Sequence, residues 1–501
     1  MKRTYFKNIE LLRFIFVLVI MYCHLWLITS SFKDVSALDY ITNHLNFSAY
    51  AVDFFFILSG FFLAYTLNIN LSLIEFMTKR AKRLWGVVAF SIVGYLCLNF
   101  FHISSYGRNV YDYIYGLFFL DNIGITIQHI GPSWYVSVLF FVSLFYFYLY
   151  KALPERTANL IVGFLVWFAY VYLININNGY ISDHILTTNN VFCSGLLRGI
   201  GGIGLGIFIF KFYDEIGKNI HTDHIFIFTI LEILVMGWCL SALCLAPHDI
   251  HNSMIFILAF VALIILFLLK QGYLTKILDN HVSVCLGKYA YSIFLTHLLV
   301  FYCVKGSIIY HQYAFIVQHP ILYLVFVYVI CILLGVATYH FIEKPDNKLF
   351  RKIGFVSYYG SIFAFLIVIS FLSSVIFKTN LYQYRGGELS TNISRQSFND
   401  GSVEVNNTSS GFLTYGPYVD LKKGKYHCIV KYESVNAEDS YFEVTADAGK
   451  NVIVRQYFAE HQKQISFDFY NASSLSQVEF RTVYAGKGRL KIKNIKFEKQ
   501  K

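Results

Sequence analysis

Charge is what this sequence has least of. Asp, Glu, Lys and Arg make up 14% of its 501 residues, against 56% hydrophobic and 19% aromatic, with a mean hydropathy of +0.53. So little polar surface excludes an ordinary soluble fold and points to a polytopic membrane protein. Metal-binding patterns are missing as well: there is no CxxC, no HExxH and no other ligand spacing, so no metal is expected. A disulfide framework is excluded, because eight of the nine cysteines lie in or beside apolar stretches and Cys428 is alone in the polar C-terminal region. No small-residue cleavage site follows the first apolar stretch, which is therefore expected to be a retained span. The formal charge of +11 does not call for nucleic acid as a partner, since most of the excess sits in short loops between apolar runs.

Those runs set the architecture. At about twenty mainly apolar residues per crossing, helices are expected near Ile9 to Thr29, Ser48 to Asn68, Leu84 to Phe101, Ser133 to Leu149, Asn159 to Ile174, Asn190 to Phe210, His224 to Cys244, Ser253 to Leu269, Tyr289 to Gly306, Ile321 to Phe341 and Phe355 to Phe377. This is an all-α bundle of about eleven transmembrane helices. Lys2, Arg3 and Lys7 precede the first helix, Lys79, Arg80, Lys82 and Arg83 the third, and cations recur in every second loop thereafter. The positive-inside rule then puts the N-terminus in the cytoplasm, and an odd number of spans puts the C-terminal region outside, in a multi-pass protein of the cell (inner) membrane.

After Lys378 the pattern changes to short alternating segments broken by Gly, Asn, Asp and Ser, among them Tyr426 to Val430, Tyr441 to Val444, Gln464 to Phe469 and Leu490 to Ile495. Such spacing predicts an extracytoplasmic all-β sandwich or jelly roll. The expected division is 1–353 for ten membrane helices, 354–378 for the eleventh, 379–400 for a linker or first irregular strand, and 401–501 for the sandwich.

Within the first span, Arg13 and His24 are costly at membrane depth, where polar side chains usually face a protein interior. Eleven helical steps of about 100° bring His24 to within roughly 20° of the face of Arg13, about 16 Å along the axis. Asp53, in Ala51-Val52-Asp53-Phe54, falls at a similar depth in the next span. It is expected to be a carboxylate partner for His24 as general base, the alternative being a helix cap. Arg80 and Arg83 lie three apart on one helical face, as a topology signal or as forks for phosphate. Arg198 opens the Gly199 to Gly206 run, which suits close helix packing. Glu232, in an apolar span, is either a buried pairing partner or a cavity residue.

Taken in order, Arg13-x10-His24, Val52-Asp53-Phe54-Phe55-Phe56-Ile57-Leu58-Ser59-Gly60-Phe61, Arg80-x-x-Arg83, Trp134-Tyr135, Leu197-Arg198-Gly199, Tyr291-Ser292-Ile293-Phe294-Leu295-Thr296-His297 and Phe341-Ile342-Glu343-Lys344-Pro345 resemble the acyltransferase-3 family of membrane acyltransferases over roughly Tyr5 to Pro345. The resemblance implies transfer of an acyl group, usually acetyl, from cytoplasmic coenzyme A to a carbohydrate or lipid-linked acceptor across the membrane. It also implies roles: His24 as catalytic base with Asp53 as its partner, Arg13, Arg80, Arg83 and Arg198 toward the coenzyme, and Trp134 and His297 in the substrate cavity. Two features depart from the family: no proline follows Arg83, and the segment after Trp134 is uncharged. The exported region also lacks a Gly-Asp-Ser nucleophile, unlike family members with a fused esterase-like domain. The string Gly416 to Tyr426 with Gly488 to Ile492 resembles small jelly-roll modules appended to glycan-modifying enzymes, which either hold sugars or serve as spacers. The leading expectation is an O-acyltransferase of a surface or lipid-linked glycan, with membrane lipid as its surroundings. A transporter or flippase of acyl groups or lipid-linked sugar, and a non-catalytic glycan-binding scaffold, are the alternatives. Oligomeric state is not legible.

Overall fold

The computed structural model describes residues 6–29, 36–43, 46–67, 71–100, 110–125, 130–177, 179–181, 193–217, 220, 224–245, 253–305, 318–344, 381–398, 400–421, 423–437, 439–447, 449–473 and 475–500. The N-terminal part is helical: α1 (Lys7–Cys23), α2 (Trp26–Thr29), α3 (Ser36–Asn43), α4 (Ala51–Leu67), α5 (Leu73–Phe100), α6 (Val110–Leu117), α7 (Ser133–Ala152), α8 (Glu155–Ile176), α9 (Ser194–Glu215), α10 (Ile225–Cys244), α11 (Met254–Leu269), α12 (Tyr273–Leu278), α13 (His281–Gly287), α14 (Ala290–Lys305) and α15 (Pro320–Thr338). Among the described residues eight helices are long and apolar enough to cross a bilayer, and nine if α13 and α14, bent by 44°, form one span. At 16 residues, α11 falls short of that length. Large apolar side chains stand exposed along α8, α10 and α15, including Leu160, Phe226 and Leu333. A surface of that kind calls for lipid around it. The expected eleventh span, Phe355 to Phe377, lies outside the described residues.

Helix α5 begins eleven residues before the expected Leu84. A reciprocal capping box explains the early start: the Ser72 N–H donates to Glu75 Oε2 at 2.9 Å and the Glu75 N–H donates to Ser72 Oγ at 3.2 Å. Arg80 and Arg83 are thereby carried on a regular helix instead of a loop.

The glycines of α9 let it press against α4. A Cβ at Gly206 would lie 1.9 Å from the Ile57 carbonyl oxygen, and one at Gly60 would lie 2.0 Å from that of Ile203. Backbone blocks both positions, so a methyl group must push the helices apart. Gly206→Ala is expected to lower the melting temperature in detergent by the equivalent of about 1–3 kcal/mol. Gly237→Ala, where nothing lies within 4 Å, leaves it unchanged.

The C-terminal part is a two-sheet antiparallel sandwich. The strands are β1 (Leu381–Arg385), β2 (Gln396–Ser397), β3 (Val403–Val405), β4 (Gly411–Thr414), β5 (Pro417–Leu421), β6 (Gly424–Val435), β7 (Tyr441–Ala446), β8 (Asn451–Tyr457), β9 (Gln464–Asn471), β10 (Leu475–Tyr484) and β11 (Arg489–Lys499). One sheet runs β2-β3-β11-β6-β9, with β1 also on β11; the other runs β4-β10-β7-β8, with β5 also on β10. Alternating side chains such as Cys428, Val430 and Tyr432 from one sheet and Phe442, Val444 and Phe480 from the other bury a shared core. The stretch read as a linker or irregular strand in fact supplies β1, whose Leu381 to Arg385 pair with Glu498 to Asn494, as well as β2. Its weak alternation hid it, because β1 and β2 are short and take their register from longer neighbours.

Candidate active site

Helix α1 ends at Cys23, just before the histidine singled out in the sequence. His24 follows its last residue with φ −90° and ψ 0°, and its N–H bonds back to the Met21 carbonyl. The ring is thus freed from the helical rotamer pattern and turns toward α14. His24 Nδ1 lies 2.9 Å from the Ile20 carbonyl oxygen and 3.2 Å from Nε2 of His297. His297 is fully buried, and its own Nδ1 lies 2.7 Å from the Phe294 carbonyl oxygen. A carbonyl oxygen only accepts, so His297 carries its proton on Nδ1 and its Nε2 is a bare acceptor. His24 then also carries its proton on Nδ1, shared between Ile20 and His297. The remaining lone pair is on His24 Nε2, which has no hydrogen-bond partner among the described residues.

The expected His24 and Asp53 pair is not what the structure shows. Asp53 is fully buried and receives Arg198 Nε at 3.0 Å and Arg198 Nη2 at 2.8 Å. Arg198 Nη2 also donates to the Ala49 carbonyl at 3.1 Å, and the guanidinium lies 5.8 Å from the Trp134 ring centroid. A buried carboxylate takes the fork-shaped donor that meets both its oxygens, and this joins α4 to α9 beneath α7. Arg198, expected to contact coenzyme, is sealed in this pair, and Trp134, expected in the substrate cavity, forms its wall beside Phe56.

The other arginines do converge. Arg13, partly exposed, pairs with Glu10 at 2.6 Å on its own helix. Arg13 and Arg80 both lie within electrostatic reach of the Tyr135 hydroxyl, and Arg13 and Arg83 within reach of the Glu343 carboxylate. Glu343 accepts from Ser292 Oγ at 2.7 Å, the Tyr291 hydroxyl donates to the Leu84 carbonyl at 2.9 Å, and Tyr135 shares a hydrogen bond with Ser59. Glu343 closes a π-helical turn, Tyr339–Glu343, that widens the end of α15. Against three guanidinia stand the carboxylates of Glu10 and Glu343, leaving a net positive charge. Nε of Arg80 is shielded from solvent with no hydrogen-bond partner. A cationic group with a donor unspent fits an anion bearing several oxygens.

The model of the acyltransferase-3 family, described as an acyltransferase domain, matches residues 6–340. The chain belongs to this family. No curated protein matches it. Among solved structures, the C-terminal CBM6 of LamC, a marine laminarinase from Zobellia galactanivorans, aligns at 15% identity over 24% of this chain and 99% of that one, with a TM-score of 0.19. In this acyltransferase-3 chain the matched region ends within the π-helical turn, so both ends of the site fall in or beside it.

Two residues that the structure brings to the candidate site were not singled out from the sequence. Tyr135 and Glu343 stood inside resembling motifs but carried no role, and only the meeting of α1, α5, α7 and the end of α15 gives them one. Glu232 proves structural: it accepts from the Gly272 and Thr275 N–H groups at 3.0 and 3.1 Å and from the Thr275 hydroxyl at 2.6 Å, so it caps α12 from across the bundle. Among the described residues no cluster of His, Cys, Asp and Glu is able to hold a metal ion.

Proposed function

We propose that this protein is a membrane O-acyltransferase that moves an acyl group, acetyl first among the choices, from cytoplasmic acyl-coenzyme A to a hydroxyl of a glycan or lipid-linked oligosaccharide at the opposite face. One observation carries the reading: helix α1 bears Arg13 in a three-arginine group near one end and is followed at the other by His24, whose Nε2 has a lone pair without a hydrogen-bond partner among the described residues. Eleven residues at about 1.5 Å each separate them by roughly 16 Å, a span comparable to that of a pantetheine arm.

The unspent donor on Arg80 and the net positive charge suit the phosphates of coenzyme A, which Arg13, Arg80 and Arg83 would hold. When bound, the thioester supplies an activated acyl carbon. The chain's own work is proton management. His24 Nε2 accepts the proton of the acceptor hydroxyl as the oxygen becomes nucleophilic. His297 keeps the other proton of His24 on Nδ1, so the base always presents the same nitrogen. As the acceptor oxygen bonds to the acyl carbon and the C–S bond breaks, the proton on Nε2 would pass to the departing thiolate, which regenerates the base.

The test is transfer of labelled acetyl from coenzyme A to a polysaccharide or lipid-linked oligosaccharide by the purified protein, with ester formation read by mass. Label on the acceptor supports the reading, and label moved across the membrane without an ester bond overturns it. Arg80→Leu is expected to raise the donor KM at least tenfold with a smaller change in kcat, and Arg80→Lys rescues little, because a point charge does not replace the fork.

A further inference from the structure

The solvent-facing side of the β4-β10-β7-β8 sheet is built unlike an ordinary solvated face. Register places Arg481 opposite Glu443 and Glu443 opposite Arg455, so one row across three strands reads cation, anion, cation. Arg455 donates from Nε and Nη2 to Glu443 Oε2 at 3.2 and 2.9 Å. Arg481 lies 3.8 Å from Glu443 Oε1 and also pairs with Glu479, which sits opposite Thr445 in the next row. The carboxylate side chains are only 5% and 2% exposed. Aromatic rings border this grid: Tyr441 lies under the Arg455 guanidinium at 4.2 Å, Phe412 under Arg481 at 5.0 Å, and Tyr457 packs beside Tyr441 at 5.5 Å. Tyr418 closes the other side within electrostatic reach of Glu479, with a backbone φ of +63°, a strained value for a bulky residue. Tyr457 and Tyr418 keep 59% and 41% of their surface exposed.

Buried ion pairs rarely stabilise a fold beyond what apolar residues of the same size would do. Locked charges between exposed rings are, however, what hydroxyl recognition requires: fixed donors and acceptors side by side, with flat apolar faces for the carbon face of a sugar ring. We propose that this face binds a neutral glycan chain. The class follows from the charge balance, because two guanidinia and two carboxylates cancel, and a phosphate, sulfate or uronate would meet Glu443 and Glu479 with no net attraction. The opposite sheet offers a contrast. There Lys425 and His427 pair with Asp468 in solvent, Lys425 first and His427 second holding its carboxyl below the ordinary value, while the other ring nitrogen of His427 meets Ser466. The proposal rests on the reading of the acceptor as a glycan and gives it a docking surface on this chain.

The experiment is affinity electrophoresis of the full-length protein in detergent through gels holding a neutral β-glucan, α-mannan or galactan, and separately dextran sulfate or hyaluronan. Retardation by at least one neutral polymer is expected, with at least a tenfold weaker dissociation constant for Tyr457→Ala and Tyr418→Ala and none for Asp468→Ala. Tyr457 is exposed, so its truncation leaves the fold intact, and an unchanged melting temperature verifies this. The proposal is overturned if no neutral polymer retards the protein, if only the anionic polymers do, if both tyrosine variants bind as the parent does, or if Asp468→Ala weakens binding as much as they do. Failure here leaves acetyl transfer to a small soluble acceptor intact. Failure of the acyltransferase reading leaves the retardation in place.

Discussion

His24→Ala lowers acyl transfer by about 10²–10⁴-fold, the usual contribution of a positioned general base, while the donor KM stays near its parent value. The split follows from geometry: the group removed is at the His297 end of α1, and the arginines that would grip the donor are at the other. His297 should behave differently. It acts through His24, by accepting the Nδ1 proton, so His297→Phe is expected to cost about 10–100-fold, the range seen when an outer partner of a histidine is lost. His297→Gln offers a side-chain oxygen to the same proton and recovers part of the loss. A positioning role also moves the pH profile of kcat, because the phenylalanine variant leaves the Nδ1 proton of His24 to the Ile20 carbonyl alone and removes an acceptor that steadies the protonated ring. Equal loss in both His297 variants, with the profile unmoved, would reduce His297 to packing.

The second large effect is on stability. Asp53→Ala leaves Arg198 charged and buried, with the Ala49 carbonyl as its one remaining hydrogen-bond acceptor among the described residues, and breaking such a pair costs about 3–5 kcal/mol. The double substitution Asp53→Leu with Arg198→Met removes both charges and is expected to regain most of the lost stability and, with it, activity. Thermal unfolding in detergent, followed by the transfer assay on the same samples, measures both. If Asp53→Ala melts like the parent and yet transfers nothing, Asp53 takes part in the reaction directly.

The membrane bundle was legible because lipid imposes a simple rule on composition, and ten expected helices correspond to described ones. Helix ends were less so. Ser72 and Glu75 cap α5 well before the hydrophobic run at Leu84, a local hydrogen-bond effect that hydropathy does not register. His24 and Arg13 announced themselves by cost, since each is polar in an apolar helix. Their partners were harder. Asp53 and Arg198 are separated by 145 residues, and nothing in either segment says that α4 faces α9, although the glycines of α9 hint at a close neighbour. His297 and His24 are 273 residues apart, and their contact depends on the unwinding at Cys23, which no periodicity encodes. In the sandwich, β5, β6, β7, β9, β10 and β11 were read from alternation, while β1, β2, β3, β4 and β8 were not, because the first four are short and β8 runs Val452, Ile453 and Val454 together without alternating.

The measurement that tests the central claim most directly uses sealed vesicles with the protein in one orientation, labelled acetyl-coenzyme A confined to the side of Arg13, and polysaccharide acceptor confined to the side of His24. The account predicts acetyl esters on the acceptor with the parent protein and a loss of about 10²–10⁴-fold with His24→Ala. Ester formation at the parent rate by His24→Ala, or only when donor and acceptor share a compartment, would contradict it.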